Sequence, residues 1–222
     1  MRHGRWITPL LGGTLIVALA LPAGAAKASD SSILAGGVIT KRDVPTSWKS
    51  SKQPDVNATL KAVAACASIL AATNVARKAP HKNSPVFTDP KSNAQLTNAQ
   101  NQVYAFKTTA DAAAYLGAFQ APAGSDCLQG LIQQAGANTG AQPTVTVGPL
   151  TNLQSLGSQA VGYEGTLKLT AQNQTLNAVI DEIVVQVGRS VVVFQFGSPD
   201  QQIAQGPAIV RSVLTRLQHA GA

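Results

Sequence analysis

Two cysteines, Cys66 and Cys127, limit what this 222-residue chain can fold into more than any other feature. They follow an export-type opening. Arg2, His3 and Arg5 precede an apolar stretch from Ile7 to Leu21, which Pro9, Gly12 and Gly13 loosen. Ala23-Gly24-Ala25 and Ala26-Lys27-Ala28 then fit the small-x-small rule of a signal peptidase site. A membrane-spanning helix needs about 20 apolar residues, and this stretch is shorter. The expectation is a signal peptide over residues 1–28, cleaved near Ala25 or Ala28. An uncleaved N-terminal anchor is the competing reading. No cysteine lies near the cleavage site, which argues against a lipobox and its lipid anchor. No later segment is long and apolar enough to span a membrane, so a secreted, extracytoplasmic location is expected.

In an oxidising compartment, two cysteines bridge more readily than they stay free. Closing a loop of about 60 residues contributes roughly 4 kcal/mol by chain entropy. A catalytic thiol is the alternative, and it needs a base and an electropositive surrounding. His81 and His219 are the only histidines after the signal, and neither sits in a partner motif. The pair is therefore read as a structural disulfide.

About 195 residues remain after the signal, enough for one core-forming domain. Charged residues make up 12% and aromatics 5%, so the surface is polar but largely uncharged. The net charge of +7 includes Arg2 and Arg5. Much of the rest lies between residues 41 and 91, where Lys49, Lys52, Lys61, Arg77 and Lys82 are among the cations. A basic region of an exported protein meets solvent or anionic envelope polymers. Nucleic acid is excluded, because no interleaved aromatics and no binding signature accompany the cations.

Residues 29–40 read as a flexible leader, and residues 41–222 as a single α+β domain. Asp55 after Pro54 is a suitable N-cap for a helix on which Val56, Leu60, Val63, Ala67 and Leu70 recur at helical spacing. Cys66 lies beside that stripe. Strands are expected at 85–87 and 95–106. Thr108-x-x-Asp111 starts a further helix with Ala112, Tyr115, Leu116 and Phe119 on one face. Ser125 caps a short helix on which Cys127, Leu128, Leu131 and Ile132 share a face. Strands at 161–170, 175–187 and 190–196 form an antiparallel meander, with Gly188-Arg189 as a type II′ turn. Ser198-Pro199-Asp200-Gln201 opens the last helix, which Gly206-Pro207 kinks. Helices then cover one face of the sheet.

The residues lack the patterns of common catalytic sites. No His-Glu-x-x-His, paired-cysteine, Gly-x-Ser-x-Gly or phosphate-loop pattern occurs. No catalytic, metal or cofactor-binding residue is therefore assigned. Asp181-Glu182 is the one adjacent carboxylate pair, set in an apolar strand. Neighbouring strand residues point to opposite faces, so the two do not share an acid–base site. One of them faces the covered side or sits at a bulge. There it either pairs with Arg189 or Lys168, or serves as a polar anchor in a ligand cleft.

Asp43-Val44-Pro45-Thr46-Ser47-Trp48 is similar to an Asp-Leu-Pro-x-Gly-Trp opening, with Ser47 in place of the glycine. Cys66 on a helix, Phe87 in a short strand, the helix 109–119, Cys127-Leu128 and the hairpin 185–189 follow in order. Across residues 38–219 this pattern resembles exported actinobacterial proteins: the extracytoplasmic sensor domains of PknH-type receptor kinases and the LpqN-type lipoproteins. The resemblance implies a PsbP-like α/β/α sandwich and a non-enzymatic, envelope-associated binding domain with a cleft. It assigns no ligand. The expected function is a secreted, sensor-like module holding a small amphiphile or an envelope component. The alternative is a structural or interaction protein of the cell surface, engaging anionic envelope components through residues 41–91.

Overall fold

A computed structural model describes residues 29–92, 96–137, 142–171 and 174–221. The expected signal segment 1–28 lies outside them. The fold is α+β, built on one antiparallel eight-stranded sheet. In chain order the strands are β1 (Lys49–Ser51), β2 (His81–Asn83), β3 (Val86–Thr88), β4 (Asn98–Ala105), β5 (Gln142–Pro149), β6 (Gln159–Ala171), β7 (Gln174–Val187) and β8 (Ser190–Ser198). They lie side by side as β1-β3-β4-β8-β7-β6-β5, with β2 pairing β4 further along the edge that β3 occupies.

The meander β6-β7-β8 forms as the alternation predicts. Gly188, at φ 54°, opens the two-residue turn between β7 and β8, where a left-handed first position suits glycine. The pairing Val187↔Ser190 fixes the register of both strands. Val185, Val192 and Phe194 then face one side, while Val184, Val191 and Val193 face the other.

Helices cover both faces of the sheet, not one. α1 (Asp30–Gly36) and α6 (Gly206–His219) pack on the side of Val103, Val185 and Phe194. The opposite side carries α2 (Val56–Lys61), a 3-10 turn (Ala64–Cys66), α3 (Ala67–Ala76), α4 (Thr109–Gly117) and α5 (Ala123–Ala137).

Four local expectations are corrected. The leader 29–40 is not loose: Ser29 caps α1, and Ile33 is 0% exposed. Asn101 on β4 accepts from the Ile39 amide at 2.8 Å and donates to Gly37 O at 2.6 Å, so the segment after α1 is pinned to the sheet. The domain thus includes what sequence reading left as a leader. Asp55 does cap a helix, but that helix ends at Lys61, and the 3-10 turn intervenes before α3. Ser125 lies inside the first turn of α5, its hydroxyl donating to Pro122 O, and the helix runs fifteen residues. The final helix begins at Gly206 with Pro207 in its first turn, where a missing N–H costs nothing. Ser198 instead closes a turn by donating to Gln201 O.

Cys66 and Cys127 are bonded, with Cα atoms 4.4 Å apart. The bridge ties the 3-10 turn to α5 across the helical layer. Among the described residues no helix is long and apolar enough to cross a membrane.

Candidate functional site

A cavity of about 260 Å³ lies between the sheet and the helical layer that the disulfide holds together. Its walls follow from the amphipathic helices. Leu60 of α2, Ile69 of α3, Tyr115 of α4 and Leu131 of α5 turn their apolar sides to it. Phe119, just after α4, packs edge-on against Tyr115 with ring centroids 5.3 Å apart. Cys127 also lines the wall, so the disulfide borders the cavity.

The floor is polar, and strand register makes it so. Gln100 on β4 lies opposite Gln195 on β8, which lies opposite Glu182 on β7, which lies opposite Tyr163 on β6. Strands sit about 4.8 Å apart, so these side chains form one transverse row. The Gln100 amide donates to the Gln195 carbonyl oxygen, and Tyr163 donates to Phe119 O at 2.9 Å. Gln100 Oε1 is buried without a hydrogen-bond partner.

Glu182 is the charged member of the row. It is partly exposed, and the surface it shows lines the cavity. Burial among apolar walls raises its carboxyl to a pKa of about 7. Its charge is felt by two phenols: Tyr115 is raised well above its ordinary value, first by burial, and Tyr163 is raised by burial and then by Glu182.

Asp181 and Glu182 do point to opposite faces, as expected. Asp181 looks towards α6, is 7% exposed, and leaves Oδ1 without a hydrogen bond. Burial, and then the charge of Glu164 opposite it on β6, push its carboxyl up to about 6. Gln202 donates to Glu164 Oε2 at 2.5 Å.

Neither expected cation reaches either carboxyl. Arg189 turns away to Asp30, at 2.7 Å, and donates to Phe106 O at 2.7 Å. Lys168 stands exposed on β6. Arg189 therefore anchors α1 to the end of the hairpin and is not a member of the site. Of the three candidate residues, only Glu182 enters the cavity.

The remaining members were missed. Gln100 and Gln102 stand at alternate positions of β4, and polar residues so spaced in a half-apolar strand are themselves the signal of a polar floor.

An adjoining groove shares Gln53, Val56, Thr73 and Gln102 with the cavity. It adds Lys52, Arg77 and His81, and Asp55, which pairs with Arg77 at 3.5 Å. Part of the basic region 41–91 thus borders the cavity mouth. Among the described residues no group of three or more His, Cys, Asp and Glu is placed to hold a metal ion.

This is an α+β layered domain whose single sheet floors a small chamber under a cross-linked helical roof. No family model matches the chain, and no curated protein matches it closely enough to count as a relative.

Proposed function

We propose that this protein is a non-catalytic, extracytoplasmic binding module of the bacterial cell envelope, holding a small amphiphile between its sheet and the disulfide-linked helices. One observation carries the reading: a cavity with aliphatic and aromatic walls, a short polar row on its floor, and a cationic groove beside it. Concave apolar sites with a few convergent polar groups are the usual form of small-molecule sites. The volume sits just below the range of about 300–1,000 Å³ typical of drug-sized ligands, so the occupant is small. The likeness of the sequence to PknH-type sensor domains and LpqN-type lipoproteins supports the same class.

Native mass spectrometry of the protein purified from its own host tests this reading. The expected result is a bound small molecule, lost in a Leu131→Trp variant that fills the cavity from α5. Each protein appearing only at its own bare mass, with no thermal shift from any apolar probe, overturns it.

The exposed cations Lys49, Lys52, Lys78 and Lys82 favour a second reading, a surface protein that meets anionic envelope polymers. Salt-sensitive retention on an anionic polymer, abolished by reversing Lys49, Lys52 and Lys82 and unaffected by Leu131→Trp, supports it over the first.

A further inference from the structure

Glu182 is the one charged side chain lining the cavity among the described residues, and it has no ion-pair or hydrogen-bond partner there. An ionised carboxylate enclosed by apolar walls is costly unless a cation or donors meet it. The two residues paired with it across the sheet do not answer it, and no cation lines the cavity. Tyr163 spends its hydroxyl on Phe119 O, and Gln195, which accepts from Gln100 through its carbonyl oxygen, makes no hydrogen bond to Glu182. Lys52, Arg77 and His81 line the adjoining groove and not the cavity. Tyr115 and Phe119 add two aromatic rings to the same wall, and such rings attract cations. The chamber thus offers one carboxylate, amide groups and aromatic faces, and it lacks a cation.

We propose that the cavity selects ligands carrying a small ammonium group, with the nitrogen seated against the Glu182 carboxylate beside Gln195 and the apolar remainder against Leu60, Ile69 and Leu131. The proposal rests on the binding reading above and narrows it to one charge class. At about 30 Å³ per water-sized group, the cavity admits roughly eight or nine non-hydrogen atoms. A short alkyl chain with one amine fits that size. A carboxylate ligand of the same length meets like charge at Glu182. An alcohol offers a single donor and no charge. The cations of the groove lie beyond the cavity lining, where they suit an anionic far end of a longer ligand and set its direction of entry.

Ammonium binding is coupled to protons. The titratable groups facing Glu182 are Tyr115 from α4 and Tyr163 from β6, and both phenols stay neutral near pH 7. Glu182, with its pKa raised to about 7, is partly protonated there, so an arriving ammonium expels protons.

Isothermal titration calorimetry of the signal-free chain with hexylamine, hexanol and hexanoate tests the proposal. Runs at pH 7 in phosphate and in Tris, whose ionisation heats differ, report the proton count. Hexylamine is expected to bind about tenfold or more tighter than hexanol, as a charge-assisted contact implies, with hexanoate weakest and protons released. Glu182→Gln should bring the amine-to-alcohol ratio below about threefold and abolish proton release, while hexanol still binds. Glu182→Met serves as a second variant if the first does not fold. Equal affinities, a reversed order, or a preference unchanged in both variants overturns the ammonium inference alone. Failure of all three probes overturns it too, and with an empty native spectrum it takes the binding reading as well.

Discussion

The Arg216 guanidinium of α6 grips both oxygens of Asp43, at 2.6 and 3.0 Å, and in the same posture donates to Val38 O at 2.8 Å. Ser212 adds a hydroxyl to Asp43 Oδ1 at 2.7 Å, and Thr40 donates twice to Oδ2. The segment after α1 and the last helix are thereby clasped. Asp43 belongs to the Asp-Val-Pro-Thr-Ser-Trp segment, and its Trp48 is buried as well. The motif that sequence reading tied to a family is in this fold a structural latch.

Breaking the latch should cost stability. The Asp43 side chain is 2% exposed and Arg216 33%. Removing one partner of a fully buried pair costs about 3–5 kcal/mol, and the partial exposure of Arg216 places this pair at the low end, near 3. Asp43→Asn should lower the midpoint of urea unfolding accordingly, with Arg216→Met similar. The double variant should cost less than the sum of the two. Strict additivity in that cycle would show that the pair does not act as one unit.

The disulfide makes a second measurable contribution. It closes a loop with a sequence separation of 61 residues, for which chain entropy gives about 4 kcal/mol. A Cys66→Ala/Cys127→Ala variant should melt well below the parent. Because the bridge borders the cavity, amide hydrogen exchange should rise first in α5 and the 3-10 turn. A uniform rise across β6, β7 and β8 would contradict that placement.

Stability should depend on pH in an uncommon direction. Glu182 goes from an ordinary value of 4.5 to about 7 on folding, and Asp181 from 3.8 to about 6. Raised carboxyls bind more protons folded than unfolded across that interval, so their contribution is fully present below about pH 4 and is lost as pH rises towards 7. Asp43 acts oppositely. Burial pushes its carboxyl up, but the hydrogen bonds from Arg216, Ser212 and Thr40 outweigh this and hold it below its ordinary value. Its contribution is therefore lost in acid, below about pH 4. The folded state should be most stable near pH 4–5 and decline towards neutrality. Glu182→Gln should flatten that decline and unfold at higher urea than the parent at pH 8. A parent curve that rises from pH 5 to pH 8 would refute the assignment.

Signals confined to neighbouring residues were legible in the sequence. Thr108 caps α4 and takes the Asp111 amide at 3.1 Å, as its spacing announced. The β7–β8 turn at Gly188 likewise follows from two residues and their flanks. What depended on distant partners was not legible. α1 reads as a flexible leader until Asn101 and the α6 face are in place to receive it. Ser198-Pro199 has helix-opening chemistry, yet β8 claims Ser198 and the helix waits for Pro207. β5 carries Pro143 and Pro149, which argue against a strand, but an edge strand tolerates them. The site was half visible. Glu182 stood out as a charge in an apolar run, whereas its row with Gln195 and Gln100 exists only through pairings between strands.

The strand order carries a last consequence. Every strand on one flank of the β4–β8 junction comes from the first half of the chain, and every strand on the other from the second. The sheet is thus two pieces joined at a seam of eight residue pairs, with Asn101 against Phe194 and Gln102 against Val193 at its middle. Neither piece is complete alone, because the free side of β4 must wait for a strand delivered far downstream. Such a non-local closure sets a slow tempo for assembly. The covalent ring through Cys66 and Cys127 encloses β4, so the bridge can brace the waiting edge before its partner arrives.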